Sequence, residues 1–220
     1  MTIQSEQRYS NSEEIINAVT HGLGVVLGIV VLAILVTGSA LAGETGKVLS
    51  FAVYGGSIIA LFAASTLYHG IRKPAWKSGL QRLDHSAIFL LIAGTYTPFC
   101  IVALKGAWGW TLFGIQWGLA ALGIALTLLQ VPAFKKLEVV FYIAMGWMAL
   151  IAVKPLIEVV PFGMSVWIVA GGVAYTAGVV FYKWKKLPFN HAVWHLFVLA
   201  GAGLHFVGIL LYLAPPSIAE

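Results

Sequence analysis

Apolar runs of membrane-spanning length recur along the chain, separated by short polar breaks. Runs near 17–42, 48–70, 84–104, 109–131, 137–153, 164–183 and 190–213 stand out. A helix needs about 20 apolar residues to cross the hydrocarbon core of a bilayer, and most of these runs reach that length. The breaks are Gly43-Glu44-Thr45-Gly46-Lys47, Arg72-Lys73-Pro74, Lys105-Gly106, Pro132 with Lys135-Lys136, Lys154-Pro155 to Pro161, and Lys185-Lys186-Leu187-Pro188. The pattern predicts an all-α fold: a seven-transmembrane helix bundle, with residues 1–220 forming one transmembrane domain. The fifth run is the shortest. Pro98 predicts a kink in the third span. The pairs Gly24xxxGly28 and Gly114xxxGly118 predict close helix packing.

Composition agrees. The 220 residues are 60% hydrophobic and only 10% charged, against about 25% charged in soluble domains. With a mean hydropathy of +0.92, most of the surface must face lipid. Seven spans with short loops consume nearly the whole length. Cys100 is the single cysteine, which excludes an intramolecular disulfide and any cysteine-based metal motif. The polar N-terminus has no basic region before a short apolar segment, so the first helix itself is expected to direct insertion rather than a cleavable signal.

The formal charge of +5 is not a nucleic-acid footprint, because the basic residues lie in short loops. Their distribution orients the chain. Arg8, Arg72, Lys73, Lys77, Arg82, Lys135, Lys136, Lys183, Lys185 and Lys186 fall on the N-terminal side, and only Lys47, Lys105 and Lys154 on the other. The positive-inside rule makes the N-terminus cytoplasmic and the C-terminus external. Trp108, Trp110 and Trp167 fall near external helix ends, and Trp76, Trp184 and Trp194 near internal ends, as interfacial aromatics do. The expected location is the cell's inner (plasma) membrane, crossed several times.

The direction of each span then brings polar residues to one depth. The second span runs inward and ends at His69. The third starts inside at Asp84, the chain's sole aspartate. The seventh starts inside and carries His191 and His195 in its first two turns. The i, i+4 spacing of His191 and His195 puts both imidazoles on one helix face, about 6 Å apart along the axis. Such a pair can hold one zinc ion, with a third ligand from elsewhere. His69 supplies a third nitrogen, and Ser65 shares its face by the same spacing. Asp84 can ligate directly or hold a metal-bound water. Three histidines and a water leave the open position of a catalytic zinc site.

Plainer readings exist for each residue alone. Asp84 can be the N-cap of the third span, Ser65 can bond back to its own helix, and Asn190 after Pro188 is a natural helix start. They do not explain why three histidines and the sole aspartate share one depth, and polar groups inside a membrane point to function. Glu14, Asn17 and His21 form a further stripe at i, i+3, i+7. It is either a polar helix end capped by Asn11 or Ser12, or a set of residues supporting the metal ligands from behind. His85 points about 100° away from Asp84, and His205 lies about 15 Å deeper than His195, too far to be a fourth ligand.

The segments Glu14-Ile15-Ile16-Asn17-Ala18-Val19-Thr20-His21, Ser65 to His69, Asp84-His85-Ser86-Ala87-Ile88, Ala93-Gly94-Thr95-Tyr96-Thr97-Pro98-Phe99 and Pro188-Phe189-Asn190-His191-Ala192-Val193-Trp194-His195 follow one another in order. In this the chain resembles the hemolysin III family, the bacterial branch of the superfamily that includes the adiponectin and progestin receptors. The resemblance covers the chain from Glu13 to about Leu213. It implies seven helices with the N-terminus inside, a zinc ion on His69, His191 and His195, and Ser65 and Asp84 beside the zinc or its water. The long N-terminal region of the animal receptors has no counterpart here, so adaptor binding and hormone sensing are not transferred.

Two functions follow as expectations. The first is a zinc-dependent intramembrane hydrolase of a lipid amide or ester, with Asp84 taking the water's proton, or Ser65 and Asp84 orienting it. Animal relatives of the family look like ceramide hydrolases, which supports this by analogy. Its partners are membrane lipid and a lipid substrate. The second is a membrane-permeabilising, transport or sensor protein in which zinc is structural. Few intramembrane charges speak against a polar-lined pore.

Overall fold

The computed structural model describes residues 9–215, and among these it contains helices and no strand. Helix α1 spans Asn11–Leu41, α2 Thr45–Gly70, α3 Pro74–Pro98, α4 Gly106–Leu128 and α5 Pro132–Gly146. A short α6 follows at Val153–Val159, then α7 at Phe162–Lys183 and α8 at Asn190–Tyr212. Among the described residues, seven stretches are long and apolar enough to cross a membrane, with α5 and α6 joined into one of them.

Local chemistry sets the helix starts. Ser10 caps α1 through the Glu13 N–H, and the Glu13 side chain accepts from the Ser10 N–H in return. The cap is therefore Ser10, not Asn11 or Ser12. Pro74 and Pro132 stand in the first turns of α3 and α5, where a missing N–H costs nothing. The third span thus begins ten residues before Asp84, and Asp84 is an interior helix residue rather than a cap. After Pro98 the backbone widens into a π-helical stretch, Phe99–Leu104, before turning at Lys105 into α4. The fifth span is longer than its apolar run suggests. It covers Pro132–Val159 and changes to a 3₁₀ turn at Met148–Ala152.

Packing follows chain order and then closes on itself. Helix α1 lies along α2, α2 along α3, α3 against α4, α7 along α8, and α1 also meets α8. The principal apolar core joins residues of α1, α2, α3, α7 and α8, including Leu35, Phe51, Tyr54, Phe62, Val198 and Ile209. Outward positions such as Leu23, Val26, Leu41, Leu129 and Phe162 remain exposed, as a lipid-facing surface requires. The glycine pair of α1 does pack closely: a Cβ at Gly24 would meet the Phe62 ring at 2.6 Å, and one at Gly28 would meet Ile58 at 2.8 Å. The pair on α4 does not. No other part of the described chain lies within 4 Å of a Cβ at Gly114 or Gly118. The spacing was the same, but this face of α4 points away from the bundle.

Candidate metal centre

The last turn of α2 and the first two turns of α8 meet at the end of the bundle where the chain begins. His191 and His195, one turn apart, have ring centroids 4.5 Å apart. His69 approaches them at 5.0 and 5.2 Å. One ligand nitrogen from each of His69, His191 and His195 lies within 4.8 Å of the others, and all three residues are buried. Sequence reasoning named these three, and the fold brings them together.

The Nδ1 atoms of all three rings are engaged from behind. The His69 Nδ1–H donates to the Glu14 carboxylate. The Tyr9 hydroxyl stands 3.1 Å from His191 Nδ1. His195 Nδ1–H donates to the Asn17 carbonyl at 3.2 Å and lies 3.1 Å from the Thr20 hydroxyl. The Glu14 carboxylate and the Asn17 carbonyl only accept, so each favours the tautomer of its histidine in which Nε2 keeps its lone pair. His69 Nε2 is buried and has no partner among the described residues. A buried imidazole lone pair left without a donor is unfavourable. The three rings bring one ligand nitrogen each to a common point, a donor set that suits a cation binding neutral imidazole, for which zinc is the commonest match.

The Glu14, Asn17, His21 stripe surrounds these ligands in three different ways. Glu14 bonds His69 with one oxygen and pairs with Lys77 at 2.8 Å with the other. Asn17 contributes its backbone carbonyl, while both polar atoms of its side chain are buried without a partner among the described residues. His21 lies flat on His195, with centroids 3.4 Å apart, and meets the edge of Phe62.

Asp84 and Ser65 are buried and line one cavity together with His21, His191 and His195. The Asp84 carboxylate is outside the group of mutually close ligand atoms, so that group is histidine only. The cavity has a volume of about 140 Å³ and continues between α3, α5, α7 and α8, with largely apolar walls. His85 turns away towards α5, where its Nδ1 lies 3.1 Å from Glu138, whose other oxygen accepts from Thr127. His205 lies deeper along α8 and donates from Nε2 to the Ile168 carbonyl.

Two participants escaped sequence reasoning. Tyr9 precedes the first helix and meets His191 across 182 residues of sequence, with no local signal. Glu138 did carry one: an acid at the edge of an apolar run merits suspicion.

Comparison with known proteins agrees with this architecture. A family model described as haemolysin-III related matches residues 9–206. The chain is 47% identical over 206 residues to Hemolysin-3 of Bacillus cereus, covering 93% of this chain and 94% of that one. It is 44% identical over 204 residues to the Hemolysin-3 homolog of Bacillus subtilis (strain 168), covering 93% and 96%. It is also 30% identical over 210 residues to the human monocyte to macrophage differentiation factor, covering 91% and 84%.

Proposed function

Because the chain belongs to the haemolysin-III-related family and is a multi-pass membrane protein, we propose that it is a zinc-dependent hydrolase of an amide or ester bond in a membrane lipid. In this reading the end that carries the histidines faces the cytoplasm, in line with the basic residues that flank it, and the membrane is the cell's inner (plasma) membrane. The observation that carries the reading is shared access: two of the three candidate ligands, Asp84 and Ser65 open onto one apolar cavity.

His69, His191 and His195 would hold the ion, and Glu14, Tyr9 and the Asn17 carbonyl keep their rings in place. Zinc supplies a Lewis acid that polarises a carbonyl and brings the pKa of a water towards 7. Asp84 takes the proton of the attacking water and returns it to the leaving nitrogen or oxygen as the carbon–heteroatom bond breaks. Ser65, buried on the wall of the same cavity as Asp84, orients the water or the carbonyl. Apolar walls such as Leu61, Ile88, Ile92 and Val198 receive the acyl chain and exclude bulk water.

The test is release of fatty acid from ceramides and other acyl lipids by the purified, zinc-loaded protein. Release that persists unchanged after chelation, or in Asp84→Ala, removes the proposal. A second reading draws on the printed name of the two Bacillus relatives, Hemolysin-3. There the protein permeabilises, transports or senses, and zinc ties α2 to α8. Solute flux through proteoliposomes that survives loss of all three histidines, without hydrolysis, favours it.

A further inference from the structure

The cavity that opens beside the metal centre follows α8 past Val198 to His205. Ten residues separate His195 from His205, about 15 Å along a helix. At this deep end two buried polar atoms have no partner among the described residues: the Tyr175 hydroxyl and His205 Nδ1. Their polar neighbours are satisfied. The Tyr96 hydroxyl donates to the Gly146 carbonyl and accepts from the Ala149 N–H. The Trp147 indole donates to the Thr176 hydroxyl, which donates to the Gly172 carbonyl.

Glycines on both helices place the unsatisfied pair. A Cβ at Gly171 would meet the His205 ring at 2.3 Å, and one at Gly201 would meet the Tyr175 ring at 2.7 Å. Each ring therefore packs closely against the opposite helix, with centroids 5.7 Å apart. The chemistry of the pair is also set. His205 Nε2 is 3.0 Å from the Ile168 carbonyl, which only accepts, so Nε2 carries the proton and Nδ1 of the neutral ring is an acceptor. The tyrosine hydroxyl can donate. The two neighbouring rings thus offer one acceptor and one donor, the two roles that a single hydroxyl group can meet.

A plain alkyl chain reaching this depth would cover both atoms and satisfy neither, whereas a hydroxyl on that chain would satisfy both. We infer that the deep end of the cavity is a hydroxyl-binding subsite, formed by His205 and Tyr175, for acyl lipids hydroxylated partway along the chain. With C–C bonds of about 1.5 Å at tetrahedral angles, a head group at the metal puts this hydroxyl near carbon ~12. That register rests on the lipid-hydrolase reading; the hydroxyl contact does not require the bond to be cut.

The experiment titrates the full-length, zinc-loaded protein in nanodiscs with stearate and with stearate hydroxylated at about carbon 12, each displacing a fluorescent fatty acid. The wild type is expected to bind the hydroxylated chain about tenfold more tightly. Tyr175→Phe and His205→Phe should each lose most of that preference while binding plain stearate and zinc as before. A hydroxyl next to the carboxylate should respond to neither substitution. Equal affinity for the two chains in the wild type, as an ordered water between the pair would produce, overturns the subsite and leaves the lipid reading standing. So does a preference that survives both substitutions. Binding of neither chain overturns both ideas. A clear hydroxyl preference without any lipid cleavage keeps the subsite and removes the hydrolase.

Discussion

Glu14 holds the Nδ1 proton of His69, and the other oxygen of the same carboxylate pairs with Lys77. One buried acid in the first turn of α1 thereby ties the end of α2 to α3 and fixes which nitrogen His69 turns inward. Partners of this kind, one step behind a ligand, typically carry 10–100-fold in metal affinity. Glu14→Gln is expected to weaken zinc binding by about that factor while the helical spectrum stays unchanged. Competition against a chromophoric chelator measures it.

Tyr9 meets His191 at Nδ1, the same ring atom by which Glu14 meets His69, but through a neutral hydroxyl. Its loss should cost less, about fivefold in zinc affinity for Tyr9→Phe by the usual value of an uncharged hydrogen bond. The same chelator competition ranks the two variants. An effect of Tyr9→Phe as large as that of Glu14→Gln would show that Tyr9 does more than orient the ring.

An ion shared by His69 and the His191/His195 pair would cross-link α2 to α8, and its binding energy would become folding energy. The purified wild type is expected to contain about one zinc per chain, and EDTA should lower its melting temperature. His191→Ala/His195→Ala should contain no zinc and melt at one temperature with or without EDTA. Elemental analysis and a thermal melt in detergent give both readouts.

The sequence made the three-histidine cluster legible for a simple reason. Helix direction fixes depth, the i, i+4 spacing fixes a shared face, and both are properties of one helix at a time. Whatever depended on how helices face one another was hidden. Tyr9 reaches His191 only because the start of α1 lies beside the start of α8. The start of α3 was also obscured: Trp76, Lys77 and Arg82 give Pro74 to Leu83 the look of a loop, yet these residues form the helix's first turns. Lys77 then reaches back to Glu14 and the Tyr68 carbonyl, a use for a lysine that hydropathy cannot register.

The two glycine pairs put this limit to a direct test. Gly24 lies against Phe62, whose ring meets His21, and His21 in turn stacks on His195. Gly24→Leu is expected to force the α1–α2 contact apart, at a cost of about 1–3 kcal/mol or more, and to lower zinc occupancy with it. Gly114→Leu, on a face that meets no other described part of the chain, should leave both unchanged. Melting temperature and zinc content of the two variants decide it. A destabilised Gly114→Leu would point to a partner for α4 outside the chain.

Asp84 separates binding from chemistry. Its carboxylate is buried and faces the same cavity as His191 and His195, yet it is no member of the ligand group. Asp84→Asn keeps size and shape and removes the capacity to accept a proton at neutral pH. If the residue is the base of a hydrolytic reaction, the variant should retain full zinc content and its EDTA-sensitive melt. Its fatty-acid release should fall by 10²–10⁴-fold, the usual worth of a positioned general base. Loss of zinc together with activity would instead make Asp84 a ligand, and would mean that the ion draws the carboxylate inward. Full activity with zinc retained would leave the cavity without its base, and the structural reading of the metal would then be the better one.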